Sequence, residues 1–184
     1  MNCPVCKASN FEKREIEPHL FVEVCKMCSG KWISRKNYDE WLEHHGAILP
    51  EIPAKDDSNM TIPEFELARL CPVCRRILVK YKVGRNLSFN IDRCGNCAGV
   101  WLDDNEWETL KSRNLHDELN RVFTDYWQEE VKRETTRKTL SSIYEEKFGP
   151  EDYSRIQDFK NWVDDHEKSD EILAYIRDKN PLQF

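Results

Sequence analysis

Glycine is scarce, 6 among 184 residues. That leaves little room for a glycine-rich phosphate loop, and neither G-x-S-x-G nor any other nucleophile motif occurs. No apolar run reaches 18 residues and 34% of the side chains are charged, so a membrane span is excluded. The opening Met-Asn-Cys carries no apolar stretch of signal-peptide kind, so a reducing, cytoplasmic setting is expected. The histidines His19, His44, His45, His116 and His166 never fall in H-E-x-x-H and are read as surface or helix-end residues. A basic excess is also missing. The formal charge is −6, distributed as −2 over residues 1–60, +1 over 61–107 and −5 over 108–184. Proteins that grip phosphates normally show the opposite balance.

Cysteine, by contrast, is present in a pattern. Cys3-Pro-Val-Cys6 is followed by Cys25-Lys-Met-Cys28-Ser-Gly-Lys-Trp32, and Cys71-Pro-Val-Cys74 by Cys94-Gly-Asn-Cys97-Ala-Gly-Val-Trp101. All 8 cysteines belong to these four C-x-x-C pairs. Disulfides are the competing use of an even cysteine count, but a reducing setting favours metal. Two C-x-x-C pairs about 20 residues apart suit a closed tetrahedral zinc site. The spacing predicts two structural Zn²⁺ ions, one on Cys3, Cys6, Cys25 and Cys28 and one on Cys71, Cys74, Cys94 and Cys97. Iron in a rubredoxin-like site is the rival, and Lys7, Ser29, Arg75 and Ala98 stand where such knuckles place glycine. A ribbon of about 40 residues cannot build a sufficient core, so metal must supply folding free energy on the order of 10 kcal/mol per site.

The periodicity predicts a small α+β protein. In the first copy Phe11 to Glu17 reads as a strand, Pro18-His19 as the turn, and Leu20, Val22 and Val24 alternate on the return. Ser34 is placed to cap a helix to about His45, with Gly46 beyond it. In the second copy Ile77, Val79, Tyr81 and Val83 alternate with Leu78, Lys80 and Lys82, Gly84-Arg85-Asn86 turns, and Leu87, Phe89 and Ile91 return. Asp103 and Glu106 fit a capping box. Helices follow: a stripe from Leu115 through Leu119, Val122, Phe123, Tyr126 and Trp127 to Val131, then an almost apolar-free stretch 132–138 that either projects into solvent or breaks. Leu140, Ile143, Tyr144 and Phe148 resume the stripe before Gly149-Pro150 starts a new helix carrying Tyr153, Ile156, Phe159 and Val163. Ser169 is placed to cap a last helix that stops at Asn180-Pro181. The expected domains are a zinc ribbon with its helix over 1–45, a linker over 46–69, a second ribbon with its helix over 70–113, and an acidic helical region over 114–184.

The run C-P-x-C, hairpin, C-x-x-C-x-G-x-W-[LI] and capped helix resembles the bacterial zinc-ribbon family named after the zinc finger of transcription factor IIB. Cys71, Pro72, Cys74, Ile91-Asp92-Arg93-Cys94, Cys97, Gly99-Val100-Trp101-Leu102-Asp103 and Glu106 carry the resemblance in the second copy. Cys3, Pro4, Cys6, Cys25, Cys28, Gly30 and Trp32 carry it in the first, which departs at Ser34 and Asn37 where the family has Asp and Glu. The resemblance implies tandem zinc ribbons and no particular activity.

Trp32 and Trp101 are read as core beside each metal site rather than as recognition platforms. Four-cysteine zinc has no open coordination position, so no enzyme is expected. Arg69, Arg75, Arg76, Lys80, Lys82, Arg85 and Arg93 form the one basic cluster. The expectation is a non-enzymatic interaction protein, an adaptor or regulator, engaging a protein partner or a second copy through its helical region. The alternative is a transcription- or RNA-associated factor that uses the basic face of the second ribbon.

Overall fold

The computed structural model describes residues 1–45, 67–85 and 87–179. The expected linker lies outside these residues except for its last three positions, as do Gly46, Asn86 and Asn180-Pro181. The described residues are α+β and fall into two compact units, Met1–Val131 and Lys132–Phe184.

In the first unit, β1 (Phe11–Glu17), β2 (Leu20–Cys25) and β3 (Lys31–Ile33) are followed by α1 (Arg35–His45). The second copy repeats this as β4 (Leu78–Gly84), β5 (Leu87–Cys94), β6 (Val100–Leu102) and α2 (Glu106–Ser112). The two copies form one sheet in the palindromic order β1-β2-β3-β6-β5-β4. The junction is antiparallel, with Lys31 opposite Leu102, Trp32 opposite Trp101 and Ile33 opposite Val100. Side chains alternate across the sheet with period two. Leu20, Val22, Val24, Ile33, Ile91 and Leu102 fall in the larger core with α1 and α2. Trp32, Trp101 and Leu78 fall in the other cluster, with the cysteines.

The larger core is shared by both copies. Trp41 of α1 meets Trp107 of α2 edge-on, with ring centroids 6.0 Å apart. The Tyr38 hydroxyl donates to the His116 carbonyl at 2.8 Å and accepts the Leu119 N–H at 3.2 Å. Lys31 reaches across to Glu108 at 3.4 Å, and the Trp107 indole N–H donates to Glu17 at 3.0 Å. The hydrophobic deficit expected of a lone ribbon is met by merging two.

The strand edge is covered at both ends. The Leu78 N–H donates to the Arg69 carbonyl at 2.9 Å. At the other end Gln128 closes a two-bond pair with Lys82, accepting its N–H at 3.2 Å and donating to its carbonyl at 3.0 Å. Outer groups of an edge strand otherwise template aggregation.

Several local expectations are corrected. Leu78 is buried among the cysteines and Val83 in the larger core, whereas Ile77, just before β4, and Val79 are exposed, because on their face only the far half of the strand reaches that core. The stripe from Leu115 is not one helix. α2 stops at Ser112, α3 is the short Leu119–Val122, and α4 (Asp125–Phe148) starts afresh, leaving Tyr126 74% exposed. The stretch 132–138 does not break α4. Ser34 does cap α1, its Oγ accepting the Asn37 N–H at 3.2 Å. Only half of the second capping box forms. Glu106 accepts the Asp103 N–H at 2.8 Å, but the cap position of α2 is Asn105 and the Asp103 carboxylate is engaged elsewhere. His116 is no surface residue; it is buried, 5.8 Å from the Trp107 ring, and burial lowers its basicity.

The second unit holds the rest of α4, α5 (Pro150–Asp164) and α6 (Ser169–Arg177). Gly149, at φ 79°, makes the turn between α4 and α5. The Ser141 hydroxyl hydrogen-bonds the Tyr153 hydroxyl at 2.8 Å near that turn. Lys168, not Ser169, occupies the cap position of α6.

Candidate metal centres

Each C-x-x-C pair folds into the same knuckle. In all four, the N–H of the residue after the second cysteine donates to the carbonyl of the first: Lys7 to Cys3, Ser29 to Cys25, Arg75 to Cys71 and Ala98 to Cys94. The first cysteine's N–H donates to the carbonyl of the next residue along, Ala8, Gly30, Arg76 and Gly99 respectively. This turn requires a left-handed residue. Lys7, Ser29, Arg75 and Ala98 adopt φ of 63°, 57°, 63° and 55°. The sequence lacks glycine there, yet the knuckle imposes glycine's conformation all the same.

The knuckles converge in pairs. In each set of four cysteines the sulfurs all lie within 4.8 Å of one another. Cys3–Cys28 and Cys6–Cys25 are each 3.5 Å apart; Cys71–Cys97 is 3.6 Å and Cys74–Cys94 is 3.3 Å. A tetrahedron with zinc–sulfur bonds of about 2.3 Å has edges of about 3.8 Å, so the separations suit one zinc per group and are too long for disulfides.

The thiols are prepared unequally. Burial pushes Cys3 up to about 11 and Cys71 up to about 12, and it also raises Cys28 and Cys97. Cys25 is buried too, but the N–H groups of Met27 and Cys28 draw it down to about 7. The N–H of Arg76 and the Cys94 thiol bring Cys74 to about 6. A bound dication displaces the protons that burial holds on the raised thiols.

The family model described as transcription factor zinc-finger matches residues 2–44 and again 70–113, together just under half of the chain. The two matches are consistent with two tandem zinc ribbons. Among curated proteins and among solved structures, nothing matches this chain. The two four-cysteine groups and the ribbon family together support two structural zinc ions.

Around the metals, the ribbons interlock. A Cβ added to Gly30 would sit 2.2 Å from the Trp101 indole, and one on Gly99 would sit 2.2 Å from the Trp32 indole. Each tryptophan is buried, as its sequence context suggested, but against the knuckle glycine of the opposite ribbon.

The second ribbon carries a buried ionic cluster that sequence reasoning missed. Arg69 binds Asp92 at 2.7 Å and Asp103 at 2.8 Å, and Asp103 also accepts the Trp101 indole N–H at 2.9 Å. Glu106 lies beside them, and burial, then the nearby Asp103 charge, pushes its carboxyl up to about 8. The absence of an acid at Ser34 and Asn37 was the available signal that these carboxylates serve something specific to the second copy.

The basic cluster does not survive intact as a surface. Arg69 is buried in that network. The Arg85 guanidinium lies 4.6 Å from the Trp127 ring centroid, and that of Arg93 lies 4.9 Å from the Phe123 centroid. Arg75, Arg76, Lys80 and Arg85 are exposed. No helix among the described residues is long and apolar enough to cross a membrane.

Proposed function

We propose that this protein is a non-enzymatic, zinc-dependent interaction protein, an adaptor or regulator whose helical unit engages another protein chain. In this reading Cys3, Cys6, Cys25 and Cys28 ligate one zinc, and Cys71, Cys74, Cys94 and Cys97 the other. Full sulfur coordination leaves neither ion a site for substrate, so both act on folding.

One observation carries the assignment of the partner surface. In the helical unit ten large apolar side chains from Leu140 to Ile176 are 40–58% exposed, while Val163 is the one buried hydrophobic residue among the described residues there. Leu140, Tyr144, Phe148 and Ile156 line one groove, and exposed apolar side chains gathered in this way mark an interaction site. The burial of Arg69 in its ion pairs removes one cation from the basic face and weighs against the nucleic-acid alternative.

The test is recovery of the native protein with its companions, repeated with Leu140→Asp and Tyr144→Asp together. A protein lost from the variant, with two zinc ions per chain retained, supports the reading. Tight DNA or RNA binding at physiological salt, abolished by replacing Arg76, Lys80 and Lys82, would replace it with the alternative.

A further inference from the structure

The helical unit carries two exposed surfaces of opposite character. The first is a groove of ≈ 1070 Å³ where α4 and α5 diverge from Gly149. Its apolar lining includes Leu140, Tyr144, Phe148 and Ile156. Its rim away from the turn is basic, with Lys132, Arg133, Arg137 and Lys138 on α4 and Lys160 on α5; Asp158 is the one acid lining it. Residues 132–138 hold four basic side chains and Glu134, a net of +3.

The second surface is the corner between α5 and α6. Residues 164–171 hold Asp164, Asp165, Glu167, Asp170 and Glu171 against Lys168 alone, a net of −4 with histidine neutral. Beside these acids Trp162, Tyr175 and Ile176 are each more than half exposed. They belong to a shallow depression with Phe159 and Ile172.

We propose that the unit binds a second copy of this chain, the acidic α5–α6 corner of each seating in the basic-rimmed α4–α5 groove of the other. A two-fold contact satisfies both surfaces at once, because each chain supplies both. Apolar anchors supply the burial, and the opposed charges set partner and register. A nucleic acid would match the rim and be repelled by the corner. Within one chain α6 packs on α5, from which residues 165–168 separate it. The inference rests on the helical unit being an interaction surface and names what it takes.

The test uses full-length, zinc-loaded protein in sedimentation equilibrium. The wild type is expected to be dimeric at low micromolar concentration and to weaken as NaCl rises from about 0.05 M to about 0.5 M. Arg133→Glu with Arg137→Glu should raise the dissociation constant on the order of 100-fold, and Asp170→Lys with Glu171→Lys should do the same. All four changes in one chain should restore dimerisation to within about tenfold of wild type, which damage to folding cannot do. A wild type that stays monomeric at about 100 μM, a dimer indifferent to salt, or a fourfold variant that folds with two zinc ions and stays monomeric overturns the proposal. Should the wild type be monomeric while a co-purifying protein is still lost on Leu140→Asp with Tyr144→Asp, the second copy is wrong and the interaction reading stands.

Discussion

Trp32 of the first ribbon and Trp101 of the second are direct partners across the β3–β6 junction, and each indole closes over the glycine of the other's knuckle. Neither knuckle can therefore be resized without moving the opposite ribbon. Gly99→Ala should destabilise the first unit by about 1–3 kcal/mol, the usual cost of forcing a methyl into a filled core. Urea unfolding followed by tryptophan fluorescence measures this. An unchanged midpoint would mean the indoles are not packed as described.

The left-handed knuckle residues make the opposite prediction. Ala98 holds φ 55° with no side chain beyond Cβ to lose. Ala98→Gly should stabilise the zinc-loaded protein by about 0.5–1 kcal/mol, because the strain it relieves exceeds the entropy it costs. Thermal unfolding at fixed zinc concentration checks the sign.

Glu106 should give stability a pH dependence. Its folded value of about 8 lies above its ordinary 4.5. Below pH 4.5 the carboxyl is protonated in both states and its contribution is complete. Between 4.5 and 8 the unfolded chain releases the proton that the folded chain retains, so stability falls as pH rises and the loss is complete by about pH 8. Glu106→Gln keeps an acceptor for the Asp103 N–H and cannot ionise. It should flatten this slope and be more stable at pH 8 by an amount on the order of 2 kcal/mol. Denaturation at pH 5, 6.5 and 8 reads it out; parallel losses in both proteins would sink the idea.

Removing one ligand should affect more than one ribbon. Cys94→Ser breaks the second metal group, and β5 and β6 carry the junction with β3. Zinc content should fall from two toward one or below, and amide protection should drop in residues 20–33 as well as in 78–102. Loss confined to 78–102 would show the ribbons to be independent.

Arg69→Met would leave the buried Asp92 and the half-buried Asp103 without their shared cation. The expected cost is about 3–5 kcal/mol. Co-replacement of Asp92 by Asn and Asp103 by Asn should recover part of it, and a double-mutant cycle gives the coupling directly.

The metal groups were legible in the sequence because ligand spacing is a local property, and four C-x-x-C pairs leave few ways to close. Leu20, Val22 and Val24 announced their strand, and Ser34 its helix, for the same reason. The β3–β6 junction was not legible. It joins two three-residue segments far apart in the chain, too short to carry a period. Ile77 and Val79 looked like core because they alternate correctly, but the near half of β4 lies beyond the reach of the helices. Arg69 looked like surface because its partners come from β5 and from the loop after β6. His116 gave no sign of burial, since Trp41 and Trp107 reach it from separate copies.

The palindromic strand order places within one chain a contact that two separate ribbons would have to find by diffusion. Such a contact has an effective concentration rather than a dissociation constant, and dilution cannot open it. A change in this protein's size with concentration therefore does not require the β3–β6 contact to open.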